Sequence, residues 1–309
     1  MIAIVALALG AALAYGIADF LGGVAARRAT VFASTTVNYV VAALLLVVAV
    51  ALTGGVWSTQ AVIGGLIGGV LALIGFLAFF AALAAGPISL VTPVIGLLSS
   101  AVPVAAALVL GDRLSLIAWV AIAIAVVGGV LIGMEHRLSV TGLSTRTVLF
   151  TVSAGLGFGF ATVALDRVPA DAGLIPVLLD SGLGAVALLA VAALRPFSGS
   201  LRRLLALLDP PTAEAPAPPP APEAATTGTG IASPAFLLAA TAGLLTGVAN
   251  LLLMLGLHAG SVAVVAVLTN LYPLATMVLA WIVLRERLSR MQLLGALLAL
   301  TASVLLGVA

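Results

Sequence analysis

Ten stretches of apolar residues follow one another along the chain, at about 2–21, 31–53, 61–83, 88–110, 115–133, 147–165, 173–194, 234–257, 261–284 and 290–308. A helix that rises 1.5 Å per residue needs ~20 such residues to cross about 30 Å of hydrocarbon. Each stretch is close to that length. No water is present there to satisfy backbone groups, so a spanning segment of this kind must be helical. Composition agrees: 63% of the 309 residues are hydrophobic and 7% are charged, where a soluble domain carries roughly 25% charged residues. Such a chain cannot cover a water-facing surface. A soluble enzyme and a nucleic-acid binder are excluded, and disorder is excluded for all but one segment. The absence of cysteine removes disulfides, thiolate nucleophiles and Cys metal sites. The first run lacks a basic leader and stays apolar to Ala26, longer than a signal-peptide core, so it reads as the first transmembrane helix.

The breaks between runs are short and hold most of the charge: Arg27-Arg28, Asp112-Arg113, Glu135-His136-Arg137, Asp166-Arg167 and Arg285-Glu286-Arg287. Runs three and four meet at Ala84-Ala85-Gly86-Pro87, a helix-hairpin signal. One connection differs. Within residues 196–233, the stretch 209–223 alone holds seven of the chain's 15 prolines. This Pro/Ala/Thr tract cannot bury a core and is expected to stay extended or disordered. Just before it, Leu201 to Leu208 reads as a short interfacial helix with Arg202 and Arg203 on its polar side.

The chain also repeats itself. Residues 86–115 slid by 174 positions onto 260–289 give 11 identities in 30 pairs, among them Gly86/Gly260, Leu97/Leu271, Arg113/Arg287, Leu114/Leu288 and Ser115/Ser289. A weaker register at offset 142 places run two on run seven, with Ala43/Ala185 and Leu46/Leu188. Each half then holds five runs: a first repeat at 1–138, and a second at 146–309 interrupted by the 196–233 loop. An odd number of crossings makes the second half enter from the opposite side. The expected fold is therefore all-α and membrane-integral, with ten transmembrane helices as two inverted five-helix repeats. In secondary transporters of that design the substrate sits near mid-membrane between the repeats.

The segments 86–133 and 260–307 carry a mid-helix proline, a (G/R)-(D/E)-R-L-S turn and a glycine-containing final helix. With the opening Tyr15-Gly16-Ile17-Ala18-Asp19-Phe20, they resemble the drug/metabolite transporter superfamily, in particular its EamA type with ten helices. The resemblance covers nearly the whole chain apart from 196–233. Asp112 stands where the family usually has Glu, and the first-half proline is shifted to Pro103. The resemblance implies transport of a small metabolite or drug, without naming one.

Polar groups deep in a bilayer are expensive and mark candidate sites. Asp180 lies near the middle of run seven, where an ionised Asp costs on the order of 3 kcal/mol, and aligns with Asn38 of the first half at offset 142. It reads either as a proton- or cation-binding carboxylate, or as a structural group bonded to Ser181 or nearby backbone. Asp19 reads as a second candidate, or as a helix-end acid paired with an Arg. Asn250, Asn270 and Tyr272 could contact substrate or bond across helices, and Tyr15 and Tyr39 could line the same cavity. Pro93, Pro103 and Pro273 fall inside apolar runs, where a missing N–H can serve as a hinge or only kink a helix. The small-xxx-small pairs Gly64/Gly68, Gly65/Gly69 and Gly129/Gly133 suit close helix packing or a dimer seam. The stretch from Gly155 to Gly159 lies in an apolar run without the spacing of a nucleotide loop. His136 and His258 are single, so no metal site is expected, and no cofactor either.

Arginine is unevenly distributed. Odd-numbered connections hold Arg27, Arg28, Arg137, Arg146, Arg195, Arg202, Arg203, Arg285, Arg287 and Arg290, whereas even ones hold only Arg113 and Arg167. The positive-inside rule then places the odd connections in the cytoplasm and both termini outside. The family resemblance implies the opposite orientation. The expected function is secondary-active export of small metabolites or drugs across the cytoplasmic membrane, by a monomer or homodimer with the bilayer and substrate as partners and a proton as the coupling-ion candidate. A non-transporting membrane scaffold and an integral-membrane enzyme are the rivals. The enzyme lacks a nucleophile, metal cluster or paired catalytic acids on one face.

Overall fold

In the computed structural model the described residues are 2–86, 88–110, 115–133, 144–208, 233–284 and 290–308, and every regular element among them is helical. The helices are α1 (Ile2–Arg28), α2 (Val31–Thr53), α3 (Thr59–Ala85), α4 (Ile88–Val109), α5 (Leu116–Gly133), α6 (Thr145–Asp166), α7 (Ile175–Leu194), α8 (Gly199–Ala206), α9 (Pro234–Ala259), α10 (Val262–Thr269), α11 (Tyr272–Leu284) and α12 (Arg290–Val308). Six of them, α1, α2, α3, α6, α7 and α9, are individually long and apolar enough to cross a membrane. The protein is thus an all-α, multi-pass membrane protein. The Pro/Ala tract at 209–232, the Asp112-Arg113 turn, His136 and the Arg285-Glu286-Arg287 turn lie outside the described residues.

Local sequence explains where the helices begin. Thr30, Ser58, Ser144 and Ser233 precede α2, α3, α6 and α9, and each side-chain oxygen accepts from the backbone N–H three residues on. Such caps satisfy donors that have no partner within the helix. Ser198 does the same for α8, its Oγ accepting from Leu201 N at 3.2 Å. This short helix lies where Leu201 to Leu208 was expected to form one, shifted two residues toward the N-terminus.

Two expectations need correction. Run one does not end near residue 21. α1 continues through Arg28, and Arg27 donates to the carbonyls of Leu83 and Gly86 at 3.0–3.3 Å, tying the end of α1 to the end of α3. Run nine is not one helix: α10 stops at Thr269 and α11 starts at Tyr272. Pro273 has no N–H to give the carbonyl of Thr269, so the helix bond at that point cannot form. The chain crosses the gap by tightened bonds, Leu271 N to Leu268 O at 3.2 Å and Leu274 N to Leu271 O at 3.0 Å. By contrast α4 runs unbroken through both Pro93 and Pro103, so neither interrupts its helix.

The helices pack in matching sets. α1 lies on α9, and α6 lies on α3. α2 also packs on α9, and α7 on α3; α1 meets α10 and α11, and α6 meets α4; α2 crosses α7, and α5 crosses α12. Missing side chains permit the close approaches. A Cβ on Gly65 would come within 2.8 Å of Pro176 O on α7, and one on Gly68 within 3.4 Å of Leu165 on α6. The Gly64/Gly68 and Gly65/Gly69 pairs are therefore used inside the bundle. Gly155 and Gly159 face α4, and Gly157 faces Leu71 and Gly75 of α3. Phe76, Phe79, Phe80 and Phe158 form an aromatic core cluster, with Phe76 and Phe158 edge-on at 4.9 Å.

Candidate functional site

A cavity of about 680 Å³ of atom-free space, any opening to solvent included, lies where α1, α3, α6, α7, α9 and the α10–α11 break converge. Tyr15 and Asp19 enter from α1, four residues apart and so on one helix face. Asp180 enters from α7, Asn250 from α9, Thr269 from the end of α10, Asn270 from the break and Tyr272 from the start of α11. The lining from α3 and α6 is apolar: Ala72 and Phe76 of α3, and Phe158, Ala161 and Leu165 of α6, with Thr162 the one hydroxyl among them.

Hydrogen bonds link the polar wall across helices. The Tyr15 hydroxyl donates to Asn250 Oδ1. Asn250 Nδ2 donates to Ser181 Oγ at 3.2 Å, so one amide joins α1, α9 and α7. Ser99 of α4 donates to Asn270 Oδ1 at 2.8 Å, and Thr276 of α11 donates to Gly16 O at 3.1 Å. Other groups are left for something else. Asp19 and Asp180 are each 6% exposed, and neither carboxylate has a hydrogen-bond or ion-pair partner among the described residues. The hydroxyls of Tyr272 and Thr269 are buried without a partner there as well.

Of the residues singled out in the sequence, the structure brings together Tyr15, Asp19, Asp180, Asn250, Asn270 and Tyr272. It does not bring Asn38 or Tyr39 to the cavity. Asn38 donates to Thr246 Oγ1 at 3.2 Å between α2 and α9, and Tyr39 lies edge-on to Phe76 at 5.4 Å, against Gly184. Ser181, one partner that a structural Asp180 could have used, accepts from Asn250, and the Arg27 fork reaches backbone carbonyls. Pro103 is buried in α4, and Pro273 is the second residue of α11, beside the site. His258 is partly buried, and no group of three potential metal ligands exists among the described residues. Sequence reasoning missed Phe76, Phe158, Thr162 and Thr269. A phenylalanine in an apolar run carries no signal of its own, but the 174-residue register places Phe76 on Asn250 and would have found it.

Fold and cavity define a class: a multi-pass helical membrane protein with a buried, acid-bearing chamber at the crossing of its helices. The model of the EamA-like transporter family matches residues 2–134 and again 145–308. The chain belongs to that family, and with it to the drug/metabolite transporter superfamily of membrane transporters. Twenty-seven chains of solved structures match. One, titled only "Crystal structure of protein", superposes with a TM-score of 0.62 at 17% identity over 96% of this chain and 95% of its own length, a likeness of fold. No curated protein matches.

Proposed function

We propose that the protein is a secondary-active transporter that exports small metabolites or drugs across the cytoplasmic membrane by alternating access, with ten spans arranged as inverted repeats at 1–138 and 146–309. The observation that carries this reading is the cavity itself. It is buried, and it draws polar groups from α1 in the first repeat and from α7, α9 and the α10–α11 break in the second. The matched packing supports two related halves: α1 on α9 mirrors α6 on α3, and the self-paired contacts α2–α7 and α5–α12 lie where a two-fold axis would pass. A discontinuous helix at the site is a recurring device of such carriers. The chain has no ATP-binding motif, so a gradient supplies the energy, with Asp180 as the proton carrier. The arginine count favours cytoplasmic odd connections and external termini.

The test is transport by the purified protein in liposomes with an imposed proton gradient. The reading expects uphill movement of a solute that collapses when the gradient is dissipated. A scaffold would move nothing under either condition.

A further inference from the structure

We propose that the cavity is a site for an organic cation, an amine or related group that carries an apolar body and no carboxylate. The inference rests on the transport reading above for its biological use, but not for its chemistry. Among the described residues the lining carries two carboxylates, Asp19 and Asp180, and no Arg, Lys or His. Both acids are buried, and neither is neutralised by a partner among the described residues. A buried ionised carboxylate without a counter-charge is costly, and a bound cation supplies the missing charge. The Tyr272 and Thr269 hydroxyls, buried and unpartnered, can donate to one of these acids or accept from an ammonium N–H. The Tyr15 hydroxyl and the Asn250 amide are already committed to each other and to Ser181, so they brace the wall.

The apolar lining from α3 and α6 sets the rest of the ligand. Phe76 and Phe158 meet edge-on and present, with Ala72 and Leu165, a surface suited to a ring or alkyl body. Aromatic faces near the site also favour a cation over an anion. An anion would face two acids with no basic group among the described lining residues. An amino acid would satisfy one end and leave its own carboxylate unpaired. A bare metal ion would leave the apolar wall unused.

Three probes of one shape separate these classes: 2-phenylethylamine, phenylalanine and 3-phenylpropionate, each titrated calorimetrically into the purified full-length protein and offered to the same protein in liposomes. The amine is expected to bind and the acid not, with phenylalanine weaker than the amine. Asp19→Asn and Asp180→Asn should each weaken amine binding roughly tenfold or more, the scale of a hydrogen bond to a charged group. Tyr272→Phe, which keeps the ring and the fold, should weaken it by a smaller factor. Equal or tighter binding of 3-phenylpropionate, or amine binding indifferent to both Asp variants, overturns the assignment. Absence of binding by all three probes also overturns it. Uptake of 3-phenylpropionate alone sinks the cation assignment but leaves transport standing. Amine that binds but never crosses supports the cation site and counts against the transport reading.

Discussion

A Cβ built on Gly69 would stand 2.9 Å from the Cα of Asp180, so α3 can lie against α7 at the site only because residue 69 has no side chain. The same contact occurs a second time. A Cβ on Gly243 would stand 2.9 Å from the Cα of Asn38, and the offsets 174 and 142 carry Gly69 onto Gly243 and Asn38 onto Asp180. One packing solution is used twice, with a carboxylate in one copy and an amide in the other.

Gly69→Leu should therefore lower thermal stability, since overpacking against backbone typically costs about 1–3 kcal/mol. It should also reduce transport, because the displaced segment carries Asp180. Gly182→Ala on the same helix α7 meets nothing within 4 Å and should melt like the wild type. Melting curves of the two variants in detergent check the contrast, and equal curves would count against the close approach.

The Tyr15–Asn250 bond ties α1 to α9 at the cavity. Tyr15→Phe keeps the ring and removes the donor. Cross-helix bonds in membranes average about 0.6 kcal/mol, so a small loss of stability is expected, with a larger loss of ligand affinity as the polar wall loosens. A double-mutant cycle with Asn250→Ala should give a coupling of that order, and strict additivity would show that the two side chains act apart.

Much of this architecture was legible in the sequence because hydrocarbon imposes a length and an apolar composition on each helix. The second to eighth runs appear within a few residues of their expected ends. What composition cannot express was lost. Pro273 breaks its helix while Pro93 and Pro103 do not, and the three are alike as letters. Asp19, Asp180 and Asn250 were visible as expensive polar groups in apolar surroundings. Asn38 and Tyr39 looked the same, yet rotation about α2 turns them toward α9 and Phe76. Phe158 was invisible, since its role depends on which apolar face meets the cavity.

At the break before Pro273, Leu271 N bonds Leu268 O at 3.2 Å in place of a regular helix bond, beside the cavity. If this gap is a hinge, Pro273→Ala should let α10 and α11 join and should slow turnover several-fold, as hinge changes do. Stopped-flow transport rates, read beside equilibrium binding, would show it. An unchanged rate would make the gap a static cavity lining.

Orientation can be read with single cysteines, because the chain has none of its own. Ser58→Cys lies in an even connection and Thr212→Cys in the Pro-rich odd one. The arginine distribution predicts that the first is labelled from outside in intact cells and the second only after permeabilisation. The reverse pattern would place both termini in the cytoplasm.

In the proposed transport cycle Asp180 is the group that must change its charge. Asp180→Asn keeps the shape of the side chain and much of its hydrogen bonding while abolishing titration, and removal of a charge lowers the cost of insertion, so the variant should fold and reach the membrane. The most direct measurement compares wild type and Asp180→Asn in liposomes, first under an imposed proton gradient and then in substrate exchange without one. The account predicts that the variant loses gradient-driven accumulation while keeping measurable downhill exchange. Full pH-dependent accumulation by Asp180→Asn would contradict it and leave Asp180 a structural residue, with Asp19 the remaining acid in the cavity.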